Sequence, residues 1–352
     1  MQTSNEAHAL LLVSFLSIFA PILPIAQTFQ TVMKNIFRKG ELFAAVFAAL
    51  LLSACGEPQK SKSNWMAEDD VKVGIDETFQ PIMEEIVQTF GMANPEANMK
   101  PLYASEDSVI RLLVNDSLRC CIATRPLDEN EKKVVQSHTL GVKQVKVATD
   151  AIALIVNKEN NDSLITLSEI KAIMRGEITR WEQLKRHQRS GELKVVFDHS
   201  ASSTVRFMRD SLCDGKELKG NVFASEKGTN PSVIEMVKAN PNLIGIVGVD
   251  WLKPKKESAL ADFSGLDVNV MRVSKSDEIY AQKFVRPYQY YIATADYPLL
   301  RSVYLIETDP RSKSFVRSFY FFVKGQKGQT IICNNSQLLP LSPVQVKDVS
   351  IK

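Results

Sequence analysis

Hydroxyl side chains crowd the starts of three helix-like segments, a pattern suited to holding a small oxyanion. The loops are Asp76-Glu77-Thr78-Phe79, Ala104-Ser105-Glu106-Asp107-Ser108 and His199-Ser200-Ala201-Ser202-Ser203-Thr204, each between a strand-like run and a helix-like one. Unpaired N–H groups and the positive end of the helix dipole favour anions there, and Ser and Thr hydroxyls add donors. A fourth loop, Thr124-Arg125-Pro126, follows the strand-like run RCCIA and offers a guanidinium with bidentate reach. One hydroxyl per helix start is ordinary N-capping, but Ser200, Ser202, Ser203 and Thr204 exceed what a cap needs. Spacing does not show whether the four loops converge.

The same residues do not make an enzyme. GxSxG, GxxxxGK[ST], HExxH and GxGxxG are all missing from the chain. His199 beside Ser200 is the nearest approach to a base and nucleophile, and neighbours in sequence seldom have the required geometry. Four histidines and five cysteines are scattered without metal-ligand spacing, and the adjacent Cys120-Cys121 with lone Cys213 and Cys333 give no disulfide framework. Binding without chemistry, with no cofactor and no metal, is therefore expected.

The elements that must position these loops follow an α/β rhythm with mostly parallel strands. VKVGI (71–75), KPLY (100–103) and RCCIA (119–123) alternate with helices predicted near 79–92 and 106–116. A long β-rich run, VKVATDAIALIVN (145–157), precedes the helix LSEIKAIMRG (167–176), closed by Gly176. VVF (195–197), helices near 203–212 and 231–239, and IGIVGV (244–249) continue the pattern. PYQYYIAT (287–294) reads as a strand, and helices near 312–323 and 327–333 close the fold.

Upstream, LFAAVFAALLLSA (42–54) is an apolar stretch of signal-peptide length, preceded by Lys34, Arg38 and Lys39 and ending at Cys55. Leu52-Ser53-Ala54-Cys55-Gly56 resembles the lipobox of bacterial lipoproteins, which implies that Cys55 is lipidated and becomes the first mature residue. Met33 is then the expected start, with residues 1–32 upstream of it; a transmembrane helix over 10–25 is the competing reading. Residues 55–70 read as a polar tether. Without residues 1–55, which hold Lys34, Arg38, Lys39, Glu6 and Glu41, the 43 basic and 40 acidic residues fall to 40 and 38. A net charge near +2 argues against a nucleic-acid surface.

Four longer segments resemble the periplasmic phosphate-binding proteins of ABC transporters, within the type II solute-binding fold. They are ITLSEIKAIMRGEITRWEQL (165–184), PNLIGIVGVDWL (241–252), TRPLDENE (124–131) and SSTVRFM (202–208). The resemblance covers about 71–335. It implies two α/β lobes, 71–148 with 285–345 and 149–284, joined by segments crossing near Thr149-Asp150 and Arg286-Pro287. It implies ligand contacts from Thr78, the Phe79 N–H, Ser105, Ser202, Ser203 and Thr204. Two positions depart from the family pattern: its aspartate, which accepts the proton of hydrogen phosphate, falls at Thr124, and its arginine, a few residues before Ser-Gly-Thr, falls near Asp198. Arg125 could restore the positive charge, with Arg206 a weaker candidate, and losing the aspartate predicts poorer discrimination between phosphate and sulfate. The implied function is a monomeric, lipid-anchored protein of the bacterial cell envelope, on the periplasmic side, delivering phosphate or a related oxyanion to an ABC permease. The alternative is a lipoprotein of the same fold with an altered or lost ligand site, acting in sensing or protein interaction.

Overall fold

The computed structural model describes residues 70–252, 263–278, 281 and 283–342; Cys55, the signal segment and most of the tether lie outside the described residues. Strand β1 (Asp70–Asp76) leads through a single 3-10 turn, Glu77–Phe79, into helix α1 (Gln80–Ala93). Pro81 sits in the first turn of α1, where its missing N–H costs nothing, and Ile82, Met83, Ile86, Val87 and Phe90 form the buried face. β2 (Asn98–Ala104), α2 (Glu106–Val114), β3 (Cys120–Ala123) and α3 (Glu129–Ser137) follow, α3 opening with an Asp128–Glu131 capping box.

The expected long strand is β4 (Lys143–Asn157), and β5 (Leu164–Thr166) feeds α4 (Leu167–Met174). Gly176 lies just past α4 at φ +74°, and a Cβ there would sit 2.9 Å from the Gly220 backbone N, so both conformation and space require glycine. Next come β6 (Lys194–Phe197), α5 (Ser203–Leu212), β7 (Val222–Ala224), α6 (Asn230–Ala239) and β8 (Leu243–Gly248). The chain closes with β9 (Val268–Val270), β10 (Arg272–Ser274), α7 (Gln289–Ala293), β11 (Leu300–Glu307), α8 (Phe315–Lys324), α9 (Gln326–Asn335) and β12 (Leu339–Pro340).

Hydrogen bonds link the main strands in the order β2-β1-β3-β11-β4-β8-β6-β7. Pairing is parallel for β1 with β2 and β3, and for β6 with β7 and β8; β4 and β11 are antiparallel to their neighbours, so the sheet is more mixed than the helical alternation suggested. β4 pairs with β11 up to Ala151 and with β8 from Ile152, so one strand runs through both halves. Phe90 meets Phe319 and Phe322 edge-on at centroid distances of 5.3 and 5.4 Å, which fixes α1 against α8. Trp181 is fully buried, its indole N–H donating to the Asn242 carbonyl at 3.3 Å. Cys120, Cys121 and Cys213 are buried free thiols, while Cys333 is only half-buried.

One expected element is corrected. The segment 287–294 is not a strand: α7 occupies Gln289–Ala293. Its aromatic content suggested β-structure, but β-propensity is satisfied only beside a sheet edge, and here Tyr288 stacks on Phe263 instead (4.8 Å). The Gln289 side chain donates to the carbonyls of Cys333, Ser336 and Leu338, tying α7 to the end of α9.

Candidate anion-binding site

The loops after β1 and β6 meet, because each lies at the C-terminal end of a strand in the same sheet. Thr78 Oγ1 and Ser203 Oγ are 3.3 Å apart, both fully buried, although 125 residues separate them. Gly248, at the end of β8, makes the approach feasible: a Cβ there would stand 2.4 Å from Thr78 Cγ2. Ser202 is the N-cap of α5, accepting from the Val205 N–H, which leaves Ser203 and Thr204 in the first turn with N–H groups that have no intrahelical acceptor. Thr204 is fully buried, and its hydroxyl has no hydrogen-bond partner among the described residues.

Arg301, from β11, is the residue that sequence reasoning missed. Its Nη1 donates to Ser203 Oγ at 2.9 Å, its Nε donates to Asp150 Oδ2 at 2.7 Å, and its guanidinium lies 5.3 Å from the centroid of the Phe79 ring. Arg301 is 6% exposed, and its Nη2 is buried without a partner among the described residues. An arginine at the second position of LRSVYLIE, an otherwise mostly apolar run, was the available signal, because a buried guanidinium must be paired. Phe79 thus contributes its ring, which flanks the arginine. Burial raises the pKa of Asp150 against the pull of Arg301.

Asp76 ends β1 at the edge of this cluster. Its Oδ1 caps the Thr78 N–H at 3.0 Å, while Oδ2 is buried with no partner among the described residues. Burial drives its pKa up, Arg301 opposes this and Glu106 reinforces it, to about 6.

The remaining expected residues are placed differently. Thr124 is buried, but its N–H and hydroxyl both donate to Glu106 Oε1, at 2.5 and 2.6 Å. Arg206 Nε donates to Glu106 Oε2 at 2.7 Å and its Nη2 to Thr124 Oγ1 at 2.6 Å, so Arg206 joins α5 to the loops after β2 and β3. Burial works against the Glu106 carboxylate, yet Arg206 and the Thr124 hydrogen bonds hold its pKa below the usual value. Arg125 turns instead to Glu131, with Nη1 and Nη2 each 2.8 Å from a carboxylate oxygen. The structure does not bring it to Thr78 and Ser203. Ser105, half-buried at the start of α2, donates to Ser108 Oγ at 2.8 Å.

Asp198 does not meet Thr78, Ser203 or Arg301: its Oδ2 accepts from Asn230 Nδ2 at 3.3 Å, and burial, opposed by Ser202 and His199, raises its pKa. His199 pairs with Glu77, and that hydrogen bond raises the histidine pKa. Asp150 and Glu106 therefore each pair with an arginine and Glu77 with His199, whereas Asp76 has no ion-pair partner among the described residues.

Strand-end loops converging on buried donors, carried by a mixed α/β sheet, define the two-lobed class of periplasmic-binding-type proteins. The profile of the PBP superfamily domain matches residues 60–323, and the chain belongs to that superfamily. It is 24% identical over 300 residues to a phosphate-binding protein, PstS, from Staphylococcus saprophyticus, covering 83% of this chain and 88% of the relative. PstS from Staphylococcus haemolyticus is 23% identical over 291 residues, 80% of this chain and 86% of the relative. Among solved structures, a putative phosphate ABC transporter substrate-binding protein with bound phosphate from Clostridium perfringens superposes with a TM-score of 0.63 at 22% identity, over 78% of this chain and all of that one. An ABC-type phosphate transport receptor from Vibrio cholerae gives 0.58 at 18% identity, over 77% of this chain and all of that one. Both share the fold.

Proposed function

We propose that the protein is an extracytoplasmic solute-binding lipoprotein that holds phosphate or a related small oxyanion and passes it to an ABC-type permease, without catalysing a reaction. The observation that carries this reading is Arg301 Nη2 beside the Thr78 and Ser203 hydroxyls at the start of α5. A buried donor left without an acceptor costs about 1–3 kcal/mol, more when charged, and an oxyanion supplies several acceptors at once. The Staphylococcus relatives, both phosphate-binding proteins, support the same ligand class. Ser202, Ser203, Thr204, Thr78 and Arg301 would hold the anion, with Phe79 flanking the arginine and Ser105 at the margin.

Two lobes divided near Thr149-Asp150 suit this function, and the change of partner along β4 at Ala151 and Ile152 supports that boundary. Because Thr78, Ser203 and Thr204 are at most 1% exposed, ligand entry requires the lobes to part, and the Arg206–Glu106 pair would re-form on closure. The protein would act as a monomer tethered through lipid on Cys55, facing the periplasm.

Calorimetry with phosphate tests the ligand. Thr204→Ala is expected to weaken phosphate binding by about 1–3 kcal/mol, the effect of removing one buried donor from an anion. Unchanged affinity in that variant would place the ligand elsewhere. Lipidation is tested separately. Mass spectrometry of the membrane-bound protein should find a diacylglyceryl-modified Cys55 as the first residue, and Cys55→Ala should release the protein; an unmodified peptide spanning Ala54-Cys55 in the membrane fraction would refute the anchor.

A further inference from the structure

The loops after β1 and β6 also bring together an imidazole and two carboxylates that the anion site does not use. Glu77, in the turn after β1, and His199, in the loop after β6, are 122 residues apart in the chain and paired in space. Asp198 joins them, and one ligand atom from each of the three lies within 4.8 Å of the other two. Chain spacing carries no trace of this grouping, because its members come from two distant loops.

Charge balance separates the trio from an ordinary ion pair. One imidazolium offsets one carboxylate, and Glu77 takes that share. Asp198 is fully buried, and the donors that reach its carboxylate are neutral: Asn230 Nδ2 at 3.3 Å, the Ser202 hydroxyl and the His199 backbone N–H. Buried carboxylates are found paired with cations or on metal ions, since a charge taken out of water is otherwise costly. Both loops are also held from outside the trio. The Ser225 hydroxyl donates to the Asp198 carbonyl at 3.0 Å, the Ser202 N–H to the His199 carbonyl at 3.1 Å, and the Thr78 N–H to Asp76 Oδ1 at 3.0 Å. Such fixed loops spare a ligand set the cost of being ordered, and the donors on Asp198 are the outer partners that ligating carboxylates carry.

We propose that Glu77, Asp198 and His199 bind a divalent transition-metal ion of the zinc class, which ties the loop after β1 to the loop after β6. One imidazole with two carboxylates suits Zn2+, with His nitrogen at about 2.0–2.1 Å and carboxylate oxygen at about 2.0–2.2 Å. Ligands at those lengths stand at most about 4.2 Å apart across the ion, so small side-chain rotations close the trio on it. The proton shared by Glu77 and His199 leaves as the ion takes its place. The Glu77 and His199 side chains are 23% and 24% exposed, which gives the ion a way in. Three protein ligands leave a fourth position for water.

Calorimetry with zinc chloride in phosphate-free buffer tests this on the full chain without a histidine tag. One zinc per chain is expected. His199→Ala and Glu77→Gln should each weaken it by roughly a hundredfold, at or beyond the upper end of what losing an outer partner does, and Asn230→Ala by roughly tenfold. His187→Ala, outside the trio, should leave zinc affinity unchanged. Zinc should also raise the melting temperature of the wild type but not of His199→Ala, since a ligand of the folded state stabilises it. Circular dichroism separates loss of binding from loss of fold. A wild type that binds no zinc, or zinc binding untouched by His199→Ala and Glu77→Gln, overturns the proposal. Zinc held at this site by a chain that binds no phosphate would support it while removing the oxyanion reading, so the two stand or fall separately.

Discussion

Replacing Arg301 with methionine is expected to abolish measurable phosphate binding and to lower stability by about 3–5 kcal/mol, the usual result of leaving one partner of a buried ion pair without the other. Two effects coincide because one side chain serves both purposes. Its Nε holds Asp150, its Nη1 holds Ser203, and its Nη2 is the donor left for a ligand. With the guanidinium gone, Asp150 has neither solvent nor a cation and must take up a proton. Arg301→Lys should recover part of the stability but little of the binding, since an ammonium cannot span Asp150, Ser203 and an anion with one planar fork. Calorimetry alongside urea unfolding measures both quantities. Tight phosphate binding by a folded Arg301→Met protein would show that the anion is held by other residues. Arg125→Ala should have a far smaller effect, because Arg125 is fully engaged by Glu131 at the start of α3.

The second large effect is a pH dependence of stability centred on Asp76. Its carboxyl titrates near 6 in the folded protein against an ordinary value of 3.8, so the native state binds this proton more tightly than the unfolded chain. The stabilisation from that proton is complete below pH 3.8 and is lost as pH rises through 6. A shift of this size corresponds to stability on the order of 3 kcal/mol. Asp76→Asn lacks the titration. Relative to wild type, it should therefore gain stability as pH rises from about 4 to 7, in phosphate-free buffer. Urea unfolding of both proteins across that range measures the difference, and a flat difference would show that Asp76 titrates as an ordinary carboxyl. Phosphate should oppose the trend in the wild type, because a ligand that binds only the folded state stabilises it by mass action.

The local chemistry of this protein was legible because it depends on short-range rules. Pro81 in α1, Gly176 after α4 and the hydroxyl-rich start of α5 mark helix boundaries through capping, glycine and proline geometry, which need only a few residues of context. The long run that became β4, the hydroxyl-rich loops and the α/β alternation followed from the same kind of signal, whereas the two-lobed class came from the family resemblance. Arg125 shows where that signal ends. A guanidinium after a strand is equally able to meet a ligand or a neighbouring glutamate, and Glu131, six residues on, is held in place by its own capping box with Asp128.

What the tertiary structure decided is which distant groups share one low-dielectric space. Asp76, Asp150, Ser203 and Arg301 come from the end of β1, the middle of β4, the start of α5 and the start of β11, and Asp150 meets Arg301 only through the antiparallel register of β4 with β11. No periodicity encodes that register. α7 failed as a strand for a related reason: aromatic residues favour a sheet only when an edge is there to receive them, and the edge is a property of the whole fold. The sequence determined the loops and the donors they carry. Only packing determined that Arg301 and Asp76 lie among these donors, because desolvation and pairing act on groups close in space whatever their separation along the chain.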